Sequence, residues 1–240
     1  APRGADTTGS RFLEPDGMVP NHIPNPEDKT AMKSICDAVK ESKADLGVIF
    51  DTDVDRAGCV DSKGNEINRN RLIALSSIIA MEGNEGATIV TDSVTSDGLK
   101  TFIEKDLGGK HYRYRRGYKN VINKAIELCN NGINCPLAIE TSGHAALREN
   151  YFLDDGAYLM TKIIIELGKG RDIEKSLENL KCPVEERECR LKITETDFKL
   201  YGEKVIKELE DFVKSDSSYR VADDNREGIR VSTDYGWFLL

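Results

Sequence analysis

Directly after the short apolar run 46–50 the chain reads Asp51-Thr52-Asp53-Val54-Asp55-Arg56. Carboxylates this close on one turn repel one another unless a cation sits among them. Magnesium takes oxygen ligands in octahedral geometry and keeps positions open for a phosphate. Arg56 beside such a site offers a bidentate fork to a phosphoryl oxygen. A solvated acidic turn is the plainer alternative. A second group, Glu140-Thr141-Ser142-Gly143-His144, follows the apolar run 137–139. A carboxylate and a hydroxyl can read adjacent sugar hydroxyls, and Gly143 lets the backbone come close to the ring. Taken alone, those residues also fit a capped turn with an incidental histidine.

The elements around these groups alternate between strand and helix. Asn25-Pro26-Glu27-Asp28 starts a helix with Asn25 as cap and Pro26 at the first position, and Met32, Ile35 and Val39 make its apolar stripe. A strand is expected at 46–50, a hairpin at 58–67 turning at 62–65, and a helix at 69–81 stopped by Gly83. Strands at 87–91, 111–115 and 137–139 then alternate with helices at 97–107 and 119–130. Helices at 157–167 and 169–180 follow, the second broken by Cys182-Pro183. A new unit holds a strand at 190–193, a helix at 199–213 and extended chain at 228–232. This order predicts an α/β fold of mixed, mostly parallel sheets flanked by helices. In such sheets chemistry gathers at the C-terminal ends of strands, where both groups stand.

Composition narrows the function. With 39% hydrophobic and 32% charged residues the 240-residue chain is an ordered globular protein with one large core or two medium ones. Its 34 Lys and Arg against 42 Asp and Glu leave a net charge of -8, which repels nucleic acid. The apolar runs, such as 163–165, are far too short for a membrane span. The 6 cysteines form no CxxC pair, which points to a reduced, cytoplasmic protein, and Cys129 and Cys135 lack a second pair to complete a zinc site.

The segment 48–56 resembles the metal loop of the α-D-phosphohexomutases, the phosphomannomutase and phosphoglucomutase family, usually Asp-Gly-Asp-x-Asp-Arg. The resemblance implies that Asp51, Asp53 and Asp55 hold magnesium (Mg2+) and that Arg56 is a catalytic residue of the cleft. Thr52 replaces the family glycine; ordinary backbone angles would make this mild, left-handed ones would strain it. Residues 140–144 resemble the family's Gly-Glu-x-Ser-Gly-His loop, with Ile139 in place of the first glycine. Glu140, Ser142, Gly143 and His144 are then substrate-binding, Glu140 and Ser142 at the hydroxyls of sugar carbons 3 and 4.

Other segments resemble the family in the same order along the chain. Phe152-Leu153-Asp154-Asp155-Gly156-Ala157-Tyr158 resembles the entry to the long helix of its third domain, so the two aspartates read as helix N-terminal charge and turn rather than metal ligands. Residues 112–119, which read as a strand with a solvated arginine face, replace an Arg-Thr-x-x-Gly-His-Lys segment, and Tyr118 stands where a substrate-contacting His is usual. Residues 20–27 resemble an Asn-His-x-Pro-x-Pro turn of the second domain, with His22 packed or bridging, and 228–237 the entry to the fourth.

The expected architecture is therefore one of repeated phosphohexomutase-type domains: 1–60 a truncated second domain with the metal loop, 61–182 a third, sugar-binding domain, and 183–240 the start of an α+β C-terminal domain. The implied activity interconverts hexose 1-phosphate and hexose 6-phosphate, of mannose or glucose, through a hexose bisphosphate. A phosphoserine in an earlier domain would carry the phosphoryl group, so the 240-residue chain alone is expected to be inactive. The implied partners are hexose phosphates and the bisphosphate, with no nucleic acid and no membrane. Two alternatives stay open. Asp51-Thr52-Asp53-Val54 also fits the haloacid-dehalogenase-like phosphatases, with Asp51 as nucleophile and Asp53 as acid, though Asp55 and Arg56 then have no role. A non-catalytic sugar-phosphate binding module is the other.

Overall fold

The computed structural model describes residues 4–240. Helix α1 spans Lys29–Ser42, with Asp28 as its cap, accepting from the backbone N–H of Thr30 and Ala31. It begins later than the Asn25-Pro26 signal suggests, because the Asn25 side chain is used in a local turn, accepting from Glu27 N at 3.0 Å. Met32, Cys36 and Val39 of α1 pack against a sheet of β1 (Leu46–Phe50), β2 (Ala57–Asp61) and β3 (Glu66–Ile67). The predicted turn at 62–65 is present, closed by the Asp61 carboxylate, which accepts from the N–H of Lys63 and Asn65.

All pairing in this sheet is antiparallel, with Phe50 opposite Ala57. The acidic segment is therefore the tip of a hairpin. A connection this short cannot make a parallel crossover, which needs a dozen or more residues. The sheet also continues through Ile67, past the domain boundary expected at residue 60.

After α2 (Arg69–Met81) come β4 (Thr88–Thr91), α3 (Asp97–Thr101, continued by a π-helical turn to Asp106) and β5 (Lys110–Arg113). Then α4 (Tyr118–Asn130) leads to β6 (Leu137–Ile139) and β7 (Ala145–Leu147). These strands form a second sheet, ordered β5-β4-β6-β7. Parallel pairing is confined to β4 with β5 and β6; β7 returns antiparallel on β6. The mixed sheets are thus present, with less parallel pairing than the alternation predicts. The period-two rule sorts the side chains: Val90, Ala138 and Ala146 pack with Val121 and Ala125 of α4, while Ile89, Ile139 and Ala145 join the opposite core.

That core crosses between the sheets. Helix α5 (Gly156–Gly168) packs on α2, β1, β2 and β7, and its Leu159 and Ile163 share one cluster with Ala57, Cys59, Leu72 and Ile139. The two sheets therefore cannot shift independently without opening a buried apolar surface. Beyond α5 the expected helix at 169–180 shrinks to α6 (Ile173–Ser176), because Gly170 takes a left-handed turn and Asp172 restarts the helix as cap. No strand forms at 190–193, where Leu191 is exposed and, among the described residues, no strand pairs with the segment.

Helix α7 (Phe198–Ser215) and the antiparallel strands β8 (Arg220–Val221), β9 (Arg230–Ser232) and β10 (Trp237–Leu239) make the last unit around Val213, Ile229 and Val231. It docks on the loop after β4 through buried charge. Arg113, expected on a solvated face, is buried, donating to Asp97 at 2.7 Å, Asp224 at 2.6 Å and Ser96 O at 2.9 Å. Arg230, also buried, donates to Ser93 O and Asp97 with its guanidinium 3.6 Å over the Trp237 ring. Among the described residues no helix is long and apolar enough to cross a membrane.

Without Asp224 the carboxylate of Asp97 would be shared by the two buried guanidiniums of Arg113 and Arg230, and buried charge left short of a partner is costly. Asp224→Ala should therefore lower stability by about 3 kcal/mol in urea unfolding. An unchanged midpoint would show that the docked unit does not depend on this network.

Candidate active site

At the hairpin tip, Asp51 is fixed from one side. Its side chain is 1% exposed; Oδ1 accepts from Arg56 N at 3.1 Å and Oδ2 from Arg56 Nε at 2.7 Å. Asp53 is exposed and Asp55 half-buried, and one oxygen from each of the three carboxylates lies within 4.8 Å of the others. Burial works against ionisation of Asp51, yet the two bonds from Arg56 and its charge hold the carboxyl below its ordinary range. Burial raises Asp55, with the His144 charge opposing and Asp51 and Asp154 adding to the effect. Carboxylates pressed together in this way suit a hard divalent cation.

Thr52 does not take left-handed angles, so the missing family glycine costs nothing there; Val54 does, at φ 65°. A β-branched residue in that region is strained, and such a conformation persists where its surroundings fix it. Here α5 does so: Gly156 N donates to Val54 O at 3.0 Å, and a Cβ on Gly156 would stand 2.8 Å from the same oxygen.

The loop after β6 meets this tip directly. Arg56 and His144 form an antiparallel bridge, and Ala57 N donates to Gly143 O at 3.3 Å. Gly143 sits at φ 100°, and a Cβ there would lie 2.5 Å from Ala57 O, so glycine is required twice over. Within the loop, Glu140 N donates to His144 O and Gly143 N to Glu140 O. The Glu140 side chain accepts from Gly117 N at 2.6 Å through Oε1 and from Ser142 Oγ at 3.4 Å through Oε2. Burial, helped by the negative charge of Asp92, pushes Glu140 up to about 7 against the Gly117 N–H, His144 and Arg116.

All eight expected residues thus come together: Asp51, Asp53, Asp55 and Arg56 at the tip, Glu140, Ser142, Gly143 and His144 beside them. Asp154 belongs with them as well. Its Oδ2 lies 2.8 Å from His144 Nδ1 and its Oδ1 accepts from Ala145 N, while Asp55 Oδ2 stands 3.6 Å from the same imidazole nitrogen. The helix-terminal role applies to Asp155 alone, which caps α5 through Tyr158 N. Asp55, His144 and Asp154 thus face one another within 4.8 Å, so Asp154, expected as helix-terminal charge and turn, also stands beside the carboxylates of the tip. Burial disfavours the imidazolium, but Asp154 and Asp55 outweigh it and raise His144. The Tyr118 ring stacks on that imidazole at 4.9 Å.

Sequence reasoning also passed over Asp92, which follows β4 and accepts from Thr141 N and Oγ1. Its position after a parallel strand next to β6 was the available signal.

Residues 6–64 match phosphoglucomutase/phosphomannomutase alpha/beta/alpha domain II, and residues 68–182 match domain III. The chain belongs to the phosphoglucomutase/phosphomannomutase family. It is 32% identical over 235 residues to a phosphomannomutase/phosphoglucomutase of Pseudomonas syringae pv. tomato, covering 96% of this chain and 47% of that protein. It is 28% identical to a phosphoglucomutase of Neisseria gonorrhoeae, covering 95% and 48%. A solved family protein from Burkholderia thailandensis matches with a TM-score of 0.77 at 29% identity, over 94% of this chain and 46% of that one. Its open α/β architecture of mixed sheets flanked by helices is the one found here. This chain of the phosphohexomutase family spans about half the length of these relatives.

Gly143→Ala should cost at least about 2 kcal/mol, since the new methyl group meets Ala57 O in a backbone conformation alanine already disfavours. Gly132→Ala, also left-handed but facing open space, should cost about 1 kcal/mol. Equal losses in urea unfolding would mean that the contact between the two loops carries no energy.

Proposed function

We propose that the protein is a phosphohexomutase for mannose or glucose phosphates, interconverting the 1- and 6-phosphates through a hexose bisphosphate. The observation that carries this reading is the backbone bridge from Arg56 to His144, which sets an oxygen-donor cluster beside a hydroxyl-reading loop. Asp51, Asp53 and Asp55 are the residues that would hold magnesium, and their clustered carboxylate oxygens fit its preference. Bound there, the ion would supply positive charge against a phosphoryl group in transfer.

The chain's own side chains account for the rest. Arg56 spends its Nε on Asp51, which orients the guanidinium and leaves its other N–H groups for a phosphoryl oxygen. His144, held between Asp154 and Asp55, keeps its proton more firmly than an ordinary imidazole and adds positive charge at the same wall. Glu140 and Ser142 face the sugar through hydroxyl recognition rather than phosphate recognition. That choice suits a bisphosphate that must bind in both orientations. The phosphoryl donor would be a phosphoserine from a domain preceding these residues, and the 240-residue chain alone would bind sugar phosphate without turning it over.

The phosphatase reading is weaker on geometry. An attacking Asp51 would have to leave a buried position in which both oxygens accept from Arg56.

Phosphorus NMR of the full-length gene product tests the proposal, with magnesium, a hexose bisphosphate primer, and mannose 1-phosphate or glucose 1-phosphate. The 6-phosphate should appear, and Asp53→Asn should slow it by roughly a hundredfold or more. Inorganic phosphate without 6-phosphate would establish the phosphatase instead, and no turnover of either sugar would favour the binding module.

A further inference from the structure

β4 and β6 are adjacent and parallel, with Thr91 opposite Ile139, so the residues that follow them, Asp92 and Glu140, stand side by side at one edge of the sheet. Both carboxyls are buried, Asp92 completely. Oδ2 of Asp92 takes two bonds from one residue, Thr141 N at 3.2 Å and Thr141 Oγ1 at 2.6 Å. Among the described residues its Oδ1 has no hydrogen-bond partner. A buried carboxylate with one idle oxygen is an expensive way to hold a loop if holding is all it does, since a neutral amide could accept the same bonds. Thr141 lies between Glu140 and Ser142, the pair expected to read sugar hydroxyls, so a shift of Thr141 moves both.

We propose that Asp92 is a positioning residue of the hydroxyl-reading loop, fixing Glu140 and Ser142 through Thr141 and acting on the Glu140 carboxyl through its own negative charge. The kinetic part of this inference rests on the phosphohexomutase reading; the electrostatic part does not.

The charged neighbours set the order of ionisation. Burial pushes Asp92 up to about 6, against the Thr141 bonds, Arg116 from the loop before α4 and Arg69 from α2. Glu140, facing Asp92, Arg116, His144 and the Gly117 N–H, rises to about 7. As pH increases Asp92 loses its proton first, and the resulting charge opposes the second ionisation. Near neutral pH Glu140 is therefore divided between a carboxyl that can donate and a carboxylate that only accepts. A loop that must take a sugar in two orientations gains from both capacities.

The test uses the full-length protein labelled with carbon-13 at glutamate Cδ, the Glu140 signal being identified by its loss in Glu140→Gln. The wild-type midpoint should fall near 7, and Asp92→Asn, isosteric and still able to accept from Thr141, should lower it by about one pH unit. An unchanged midpoint overturns the electrostatic role. In hexose phosphate turnover, Thr141→Val should raise KM roughly tenfold with kcat within about threefold, and Thr141→Ser, which keeps the hydroxyl, should restore the wild-type KM. A wild-type KM in Thr141→Val overturns the positioning role. A wild-type protein without mutase activity but with the expected shift in midpoint would overturn the proposed function and leave the Asp92–Glu140 coupling in place.

Discussion

Crowded negative charge at the hairpin tip is the constraint around which the rest is arranged. Asp51, Asp53 and Asp55 approach one another on a short turn; Arg56 answers the charge of Asp51 at 2.7 Å, and His144 answers that of Asp55 from farther away, at 3.6 Å. Arg56 then does a second task with its backbone, bridging to His144. The tip is held from below by α5, whose Gly156 seats the strained Val54 carbonyl. The loop after β6 holds it from the side, where Gly143 comes close enough to Ala57 to accept its N–H. These contacts come from α5 and from the loop after β6, so the acidic tip takes its shape from the neighbouring elements as much as from β1 and β2.

The common core explains how this join can be rigid. Ala57 and Cys59 of the first sheet share a buried cluster with Ile139 and Ala145 of the second and with Leu159 and Ile163 of α5. Packing at that density transmits position from one sheet to the other. Asp154 adds a polar link, fixing the imidazole of His144 while its other oxygen anchors Ala145. Tyr118 stacks on the same ring.

The two loops were legible in the sequence because each is an unbroken run of chemistry-bearing residues after an apolar strand. What surrounds them was not, since pairing and burial depend on partners distant along the chain. The hairpin from β1 to β2 hid behind an alternation that suggested parallel strands, and β7, Ala145–Leu147, is too short to show a period. Asp154 looked like half of a helix-terminal pair because Asp155 beside it is a cap; only the fold brings His144 to it. Arg113 read as a solvated charge because Asp224, its partner, lies in the last unit. At 169–180 the charged pattern suggested a helix, but Gly170 in a left-handed turn interrupts it.

If the hairpin tip and the loop after β6 form one site, a cation at the first must be felt at the second. A magnesium titration of the nitrogen-15-labelled protein, followed at backbone amides, measures this directly. Amides of 51–57 and of 140–144 should shift together with one midpoint, carried through the Arg56–His144 bridge and the Asp55–His144 contact. Shifts confined to 51–56, with Gly143 and His144 unmoved at saturation, would contradict the claim that the two loops work as a unit.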